Sequence, residues 1–94
     1  MDRQTLVNLL SSQTFRISAA ACRQAGISFL DARLLCWLLV QDRSNADMFS
    51  NFGPKVSHAA QRQGFIQEIT DASPIIWKAS EAGKKKIEEL VGYL

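Results

Sequence analysis

The sequence predicts a single, mostly helical α+β domain that contains one β-hairpin. Apolar side chains recur every three or four positions over most of the 94 residues, as they do in amphipathic helices. Two short strand candidates, at residues 67–69 and 75–78, flank a segment with turn-forming residues. Hydrophobic residues make up 47% of the chain, which is enough for the core of one small domain over residues 1–94.

Composition and charge narrow the class of protein. The net charge of +2, from 11 basic and 9 acidic residues, is compatible with nucleic acid without requiring it. The longest apolar stretch, residues 34–40, is shorter than the roughly 20 residues that span a bilayer, and the N-terminus lacks a signal-peptide layout. We therefore expect a cytoplasmic protein with no membrane attachment. Cys22 and Cys36 fit no metal-ligand spacing and are predicted to be buried free thiols, with a disulfide or redox pair as the alternative.

Residues 1–27 are predicted to form two N-terminal helices. Apolar residues on one side predict the first over residues 2–12. The second is predicted over residues 14–25, because Phe15, Ala19 and Cys22 repeat at helical spacing and Gly26 is a natural stop.

Residues 28–79 begin with a strongly apolar helix over residues 29–41, for which Ser28 is the predicted N-cap. Its apolar face predicts the buried centre of the domain and comprises Leu30, Leu34, Leu35, Trp37, Leu38 and Leu39. After a polar break at residues 42–45, Ser44 or Asn45 is expected to cap a short helix. Gly53 and Pro54 should end that helix and begin the next.

The helix predicted over residues 54–63 separates apolar from polar side chains. At about 100° per residue, one side carries Val56, Ala59, Ala60 and Gln63. The other side is predicted to face solvent and carries Lys55, Ser57, His58, Gln61 and Arg62. Gly64 should then stop the helix.

The remaining residues predict a hairpin and a terminal helix. Strands at 67–69 and 75–78 flank a turn at residues 70–74, and Ser80 is expected to cap the helix of residues 80–94. The apolar stripe of that helix is Ile87, Leu90, Val91 and Leu94. Its lysines, Lys84, Lys85 and Lys86, are predicted to be solvated, with Lys84–Glu88 and Lys85–Glu89 as pairs four residues apart. Trp37 and Trp77 are predicted to be core residues, with a half-exposed, partner-binding Trp77 as the alternative.

Two motifs resemble those of winged helix-turn-helix domains of the broad bacterial MarR-like type. Gly64–Phe65–Ile66 resembles the "GLI" that follows the recognition helix, and residues 79–84 (ASEAGK) resemble the "LTEAGR" that opens the helix after the wing. The resemblance covers residues 28–94 and implies that helix 54–63 enters the major groove of DNA, flanked by a wing at residues 67–78. This chain departs from the family in its wing, where Glu68 and Asp71 accompany Lys78 as the sole base.

The residue types fit such an interface. Amide and guanidinium groups such as those of Gln61 and Arg62 can pair with adenine and guanine edges, and a helix N-terminus attracts phosphate. The predicted DNA-binding residues are Arg43, Ser44, Asn45, Lys55, Ser57, His58, Gln61, Arg62 and Lys78. We expect neither enzymatic activity nor a metal or cofactor, because there is one histidine, no evident nucleophile–base arrangement and no glycine-rich phosphate loop.

The interpretation is thus a sequence-specific DNA-binding regulator of transcription, such as a repressor, acting as a homodimer through its terminal helices. Burial of those helices within one chain is the alternative to dimerisation. The rival function is a protein-interaction module on the same fold, such as a phage or plasmid protein that blocks a host complex. A third hypothesis is binding to nucleic acid without sequence preference through Lys84, Lys85 and Lys86.

Overall fold

Helices account for most of the chain in a computed structural model, which describes residues 1–69, 71 and 73–94. The elements in order are α1 (Arg3–Leu10), α2 (Ala19–Ala25), α3 (Phe29–Val40), β1 (Arg43–Ser44), α4 (Asn45–Arg62), β2 (Ile66–Ile69), β3 (Ile76–Ala79) and α5 (Glu81–Gly92). The predicted α+β, mostly helical class is confirmed.

Serine side chains begin most of these helices. The hydroxyl oxygens of Ser28, Ser44 and Ser80 each accept a hydrogen bond from the backbone N–H three residues later, at 3.1, 3.2 and 3.2 Å. These bonds satisfy amides that have no partner within the first turn of a helix. The predicted caps at Ser28 and Ser80 are confirmed, and Ser44 rather than Asn45 caps α4.

The predicted start of the second helix is wrong. Helix α2 begins at Ala19 with Ser18 as its cap. Residues 11–18 form a loop with turns in its first half, where the Phe15 N–H donates to the Ser12 carbonyl at 3.2 Å. Phe15 and Cys22 both face the core, so their spacing resembled one helix although Phe15 reaches the core from a loop.

Helix α4 is interrupted where the sequence predicted a boundary. Gly53 has φ 79° and ψ 168°, a conformation that side chains disfavour, and Pro54 follows it. We call residues 45–52 segment α4N and residues 54–62 segment α4C. Both segments are helical, and the chain changes direction between them only because position 53 is glycine.

The three strands form an antiparallel sheet in the order β1-β3-β2. Arg43 pairs with Trp77, and Ile66 pairs with Ala79. The predicted hairpin strands are confirmed to within one residue at each end. Strand β1 was not predicted, because two residues are too few for a periodic pattern. Within the predicted turn, Thr70 and Ala72 lie outside the described residues.

Helix α3 occupies the centre of the core. Leu34, Leu35, Leu38 and Leu39 are all but fully buried, as are core residues of other elements, namely Leu6, Met48, Ile87 and Leu90. Leu30, which was predicted to belong to the buried face, is 48% exposed because it points away from the side of α3 that α5 and the sheet cover. Trp37 and Trp77 are half-buried and pack against the edge of the core.

Both cysteines are buried free thiols, as predicted. Burial raises the pKa of both thiols, and that of Cys36 reaches about 12. At neutral pH Cys36 is therefore a protonated, apolar core side chain. Over the described part of the chain, every helix is too short or too polar to serve as a membrane span.

Candidate nucleic-acid interface

Three of the predicted DNA-contacting residues share an exposed face of α4C. Lys55, His58 and Arg62 are exposed to solvent and lie three and four positions apart, so they project from the same side of the helix. None of the three has an ion pair with a carboxylate among the described residues. The face therefore carries two permanent positive charges and one imidazole.

Ser57 does not belong to this face, and its predicted solvent exposure is wrong. The residue is fully buried, and its hydroxyl oxygen has no hydrogen-bond partner among the described residues. The buried side of α4C is centred on Ser57 and Ala60, about 80° around the helix axis from the centre of the predicted side. Apolarity assigned both alanines inward; Ala60 is fully buried as predicted, whereas contacts with the core bury Ser57 and leave Ala59 half-buried.

The same difference in helix orientation changes the exposure of Gln61 and Gln63 relative to the prediction. Gln61 is half-buried, although it was predicted to face solvent. Gln63 was predicted to lie on the inner side, yet it is exposed at the end of the helix. Its amide nitrogen donates to Asp31 Oδ2 at 3.0 Å and to the Ala59 carbonyl at 3.1 Å, which ties the end of α4C to α3.

The predicted contacts at residues 43–45 are already engaged within the protein. The Arg43 guanidinium lies 4.7 Å from the centre of the Trp37 ring. The Ser44 hydroxyl caps α4, and Asn45 Oδ1 accepts a hydrogen bond from the Trp77 indole at 2.9 Å. All three residues are half-buried, so their main effect is to fix the start of α4 on the sheet.

Aromatic contacts join segment α4N to α4C and to α3. The His58 ring meets Phe49 edge-on at 5.3 Å between centroids, and Phe52 meets Trp37 at the same distance. Such pairs add to the burial of their apolar surface. They set the orientation of the exposed face and hold the His58 ring beside Lys55 and Arg62.

The hairpin contributes little positive charge. Lys78 is half-buried and lies across from Gln67, whereas Glu68 is exposed and lies across from Trp77. Adjacent residues of a strand point to opposite faces, so Lys78 and Trp77 do not share a surface. The described part of the hairpin thus offers one base, Lys78, and two acidic side chains, Glu68 and Asp71.

The lysines of α5 are largely neutralised. Lys84 Nζ lies 3.5 Å from Glu88, and Lys86 Nζ lies 3.3 Å from Glu89. Lys86 also donates to the Ala25 carbonyl at 2.9 Å. Glu89 therefore pairs with Lys86 rather than with Lys85 as predicted, and Lys85 alone of the three is exposed.

The chemistry of the α4C face is that of a hydrogen-bond donor surface. Lys55 and Arg62 can bind anions or base edges, and His58 can donate or accept. Among the described residues no group of three histidine, cysteine or acidic side chains could hold a metal ion. No protein-family profile, curated protein or solved structure matches this chain.

Proposed function

We propose that this chain is a winged helix-turn-helix domain that binds double-stranded DNA in the cytoplasm and controls transcription. The order α3, β1, α4N, α4C, β2, β3 supports this fold. In this arrangement α4C is the recognition helix and β2 with β3 is the wing. The proposal assigns the chain a binding role and no catalytic one.

The exposed face of α4C carries the proposal. An α-helix fits the major groove, where an arginine can bind guanine through two hydrogen bonds. Arg62 is the residue best suited to that contact, and Lys55 is suited to a neighbouring phosphate. His58 lies between them on the same face, with its ring held by Phe49.

The anchored start of α4N supports the same geometry. Arg43, Ser44 and Asn45 join β1 and α4N to Trp37 and Trp77 through stacking, capping and hydrogen bonding. Because these contacts are internal, residues 43–45 position α4 rather than supply most of the DNA contacts. In the proposal Ser57 has no DNA contact, and Lys78 is the phosphate contact of the wing.

A DNA titration tests the proposal. Fluorescence anisotropy with a random duplex should show binding at low salt that weakens steeply as salt rises. In the double variant Lys55→Ala, Arg62→Ala the affinity should fall at least tenfold, since each lost contact is worth about 1–3 kcal/mol. The slope of log affinity against log salt should become shallower by about 1, because of the two residues Lys55 is the one assigned to a phosphate.

A double variant that removes the same charge elsewhere is the control. Arg23 in α2 and Lys85 in α5 are both exposed, and neither lies on α4C. Arg23→Ala, Lys85→Ala should bind DNA nearly as well as the wild type. An equal loss in both double variants would indicate binding by overall charge, as the hypothesis based on the α5 lysines holds. Selection from a random duplex library then measures sequence preference.

The protein-interaction hypothesis keeps one observation in its favour. The described part of the wing exposes Glu68 and offers only Lys78 as a base, which suits a protein partner better than a phosphate backbone. The Trp77 indole N–H already donates to Asn45 within the chain, so it is not free to donate to a protein partner. Absence of duplex binding even at low salt would favour this hypothesis over DNA binding.

We further propose that two copies pair through their terminal helices. Leu9 is 36% exposed and Leu94 is 52% exposed, and both line one shallow groove with Val91. Ile87 and Leu90, by contrast, are fully buried within one chain. Pairing would cover the apolar residues that the single chain leaves in water.

Light scattering tests the dimer. The wild type should have twice the chain mass of 10.5 kDa, and Leu94→Asp should reduce it to one chain. Leu30→Asp is the matched control, because Leu30 is similarly exposed but lies on α3. A wild type that is monomeric at micromolar concentration, or an equal effect of both variants, would contradict pairing through the termini.

A further inference from the structure

An open apolar groove of about 620 Å³ lies between α3, the end of α1 and the loop of residues 11–18. Phe15 and Ile17 line it from the loop, and Phe29, Trp37 and Val40 line it from α3. Phe29 and Val40 are 46% and 42% exposed, so water now covers much of this apolar surface. Its volume is within the range of small-molecule sites.

The groove follows the length of α3. Phe29, Arg33, Trp37 and Val40 recur at helical spacing and form a stripe on one side of the helix. Val40 lies eleven positions after Phe29, which corresponds to about 16 Å along the helix axis. The site therefore suits an elongated ligand better than a compact one.

Three arginines and no carboxylate are among the described residues that line the groove. Arg33 is exposed and has no hydrogen bond or ion pair to another described residue. Arg16 uses Nη1 to donate to the carbonyls of Gln13 and Phe15, at 2.8 and 2.7 Å, which holds its guanidinium beside the groove. The arginines of the groove form no ion pair with a carboxylate among the residues that the structure describes.

The third arginine has a donor that lacks an acceptor. Arg43 stacks on the Trp37 ring, and its Nε is buried without a hydrogen-bond partner among the described residues. A buried donor of this kind is normally paired in proteins, and a carboxylate is a strong acceptor for a guanidinium.

We propose that this groove binds a free, soluble alkyl carboxylate, with the chain along α3 and the carboxylate among Arg16, Arg33 and Arg43. The apolar lining would exclude water from the alkyl chain. The three guanidinium groups, which form no ion pair with a described carboxylate, would select an anionic head over a neutral or cationic one. This site is separate from the α4C face, and its test does not depend on DNA binding.

Fluorescence of Trp37 provides the test. The chain has two tryptophans, so Trp77→Phe leaves Trp37 as the sole indole. Titration below micellar concentrations should show saturable, one-to-one binding of dodecanoate, at least tenfold tighter than that of dodecylamine or dodecanol. Calorimetry on the wild type gives the same comparison independently of the Trp77 substitution. Equal affinity for the three head groups, or no binding of dodecanoate, would overturn the proposal.

Charge reversal at the groove provides a second test of the proposed ligand site. Arg33→Glu should weaken dodecanoate binding at least tenfold and strengthen dodecylamine binding, whereas Arg23→Glu, on an exposed position outside the groove, should change neither. Phosphatidylglycerol and phosphatidylcholine vesicles distinguish a free ligand from a membrane. Binding to anionic vesicles without binding to free dodecanoate would contradict a soluble ligand, as would equal effects of the two arginine variants.

Discussion

Replacing Gly83 with alanine should destabilise the domain by about 2–4 kcal/mol. A Cβ atom at this position would collide with the Phe65 carbonyl oxygen and would lie 2.9 Å from Leu35 Cδ2. The Phe65 carbonyl accepts the backbone N–H of Ser80 at 2.9 Å, so it cannot move without loss of that hydrogen bond. Chemical denaturation followed by circular dichroism would measure the change in the free energy of unfolding.

Gly92 offers a matched control in the same helix. It is the last residue of α5, and a Cβ there would meet nothing within 4 Å. Gly92→Ala should raise the free energy of unfolding by up to about 1 kcal/mol, because alanine loses less conformational freedom in a helix. A Gly83→Ala protein as stable as the wild type would show that α5 does not approach Phe65 as closely as described.

Ser57→Arg should unfold the domain or cost at least about 3 kcal/mol, although the substitution adds a base to the proposed recognition helix. Ser57 is fully buried, so the guanidinium would lose its hydration without gaining an acceptor. His58→Arg, one residue later on the exposed face, should cost at most about 1.5 kcal/mol, because it loses the ring contact with Phe49 but keeps its charge in solvent. Thermal and urea unfolding of the two variants would compare them directly.

Ser57→Ala shows whether the hydroxyl group itself contributes to stability, because alanine keeps a small buried side chain at this position. The Ser57 hydroxyl oxygen is buried and has no partner in the described part of the chain, so its removal sacrifices no hydrogen bond seen there and should leave stability equal or higher by about 1 kcal/mol. A folded Ser57→Arg protein with tighter DNA binding would contradict the orientation of α4C and restore the face that the sequence predicted.

The motif at residues 79–84 shows which structural features local sequence patterns can predict. Ser80 was predicted as a cap, and it accepts the Gly83 N–H at 3.2 Å. Capping depends on residues within one turn, so the sequence contains all that it needs. The reason that position 83 is glycine is different, since it depends on Phe65 and Leu35, which lie 18 and 48 residues earlier.

Strand β1 and the loop of residues 11–18 could not be predicted from local sequence patterns. Arg43 and Ser44 become a strand only by pairing with Trp77 and Ile76, and a two-residue strand leaves no periodic signal. Phe15 matched a helical repeat because it is directed at the core, not because its backbone is helical. The spacing of apolar residues indicates which side chains face the core. It gives only indirect information about the conformation of the backbone between them.

The amino-acid sequence was sufficient for the number and class of most elements, for the caps at Ser28 and Ser80 and for the break at Gly53, because propensity, capping and glycine conformation are local. The rotation of α4C, the burial of Ser57 and the groove along α3 arose from packing between distant parts of the chain. Apolar periodicity shows that a helix has an inner side, but contacts with the rest of the core select its orientation to within a few tens of degrees. The orientation of α4C about its axis decides which of its polar residues reach solvent, and therefore which residues are available for the proposed DNA contacts.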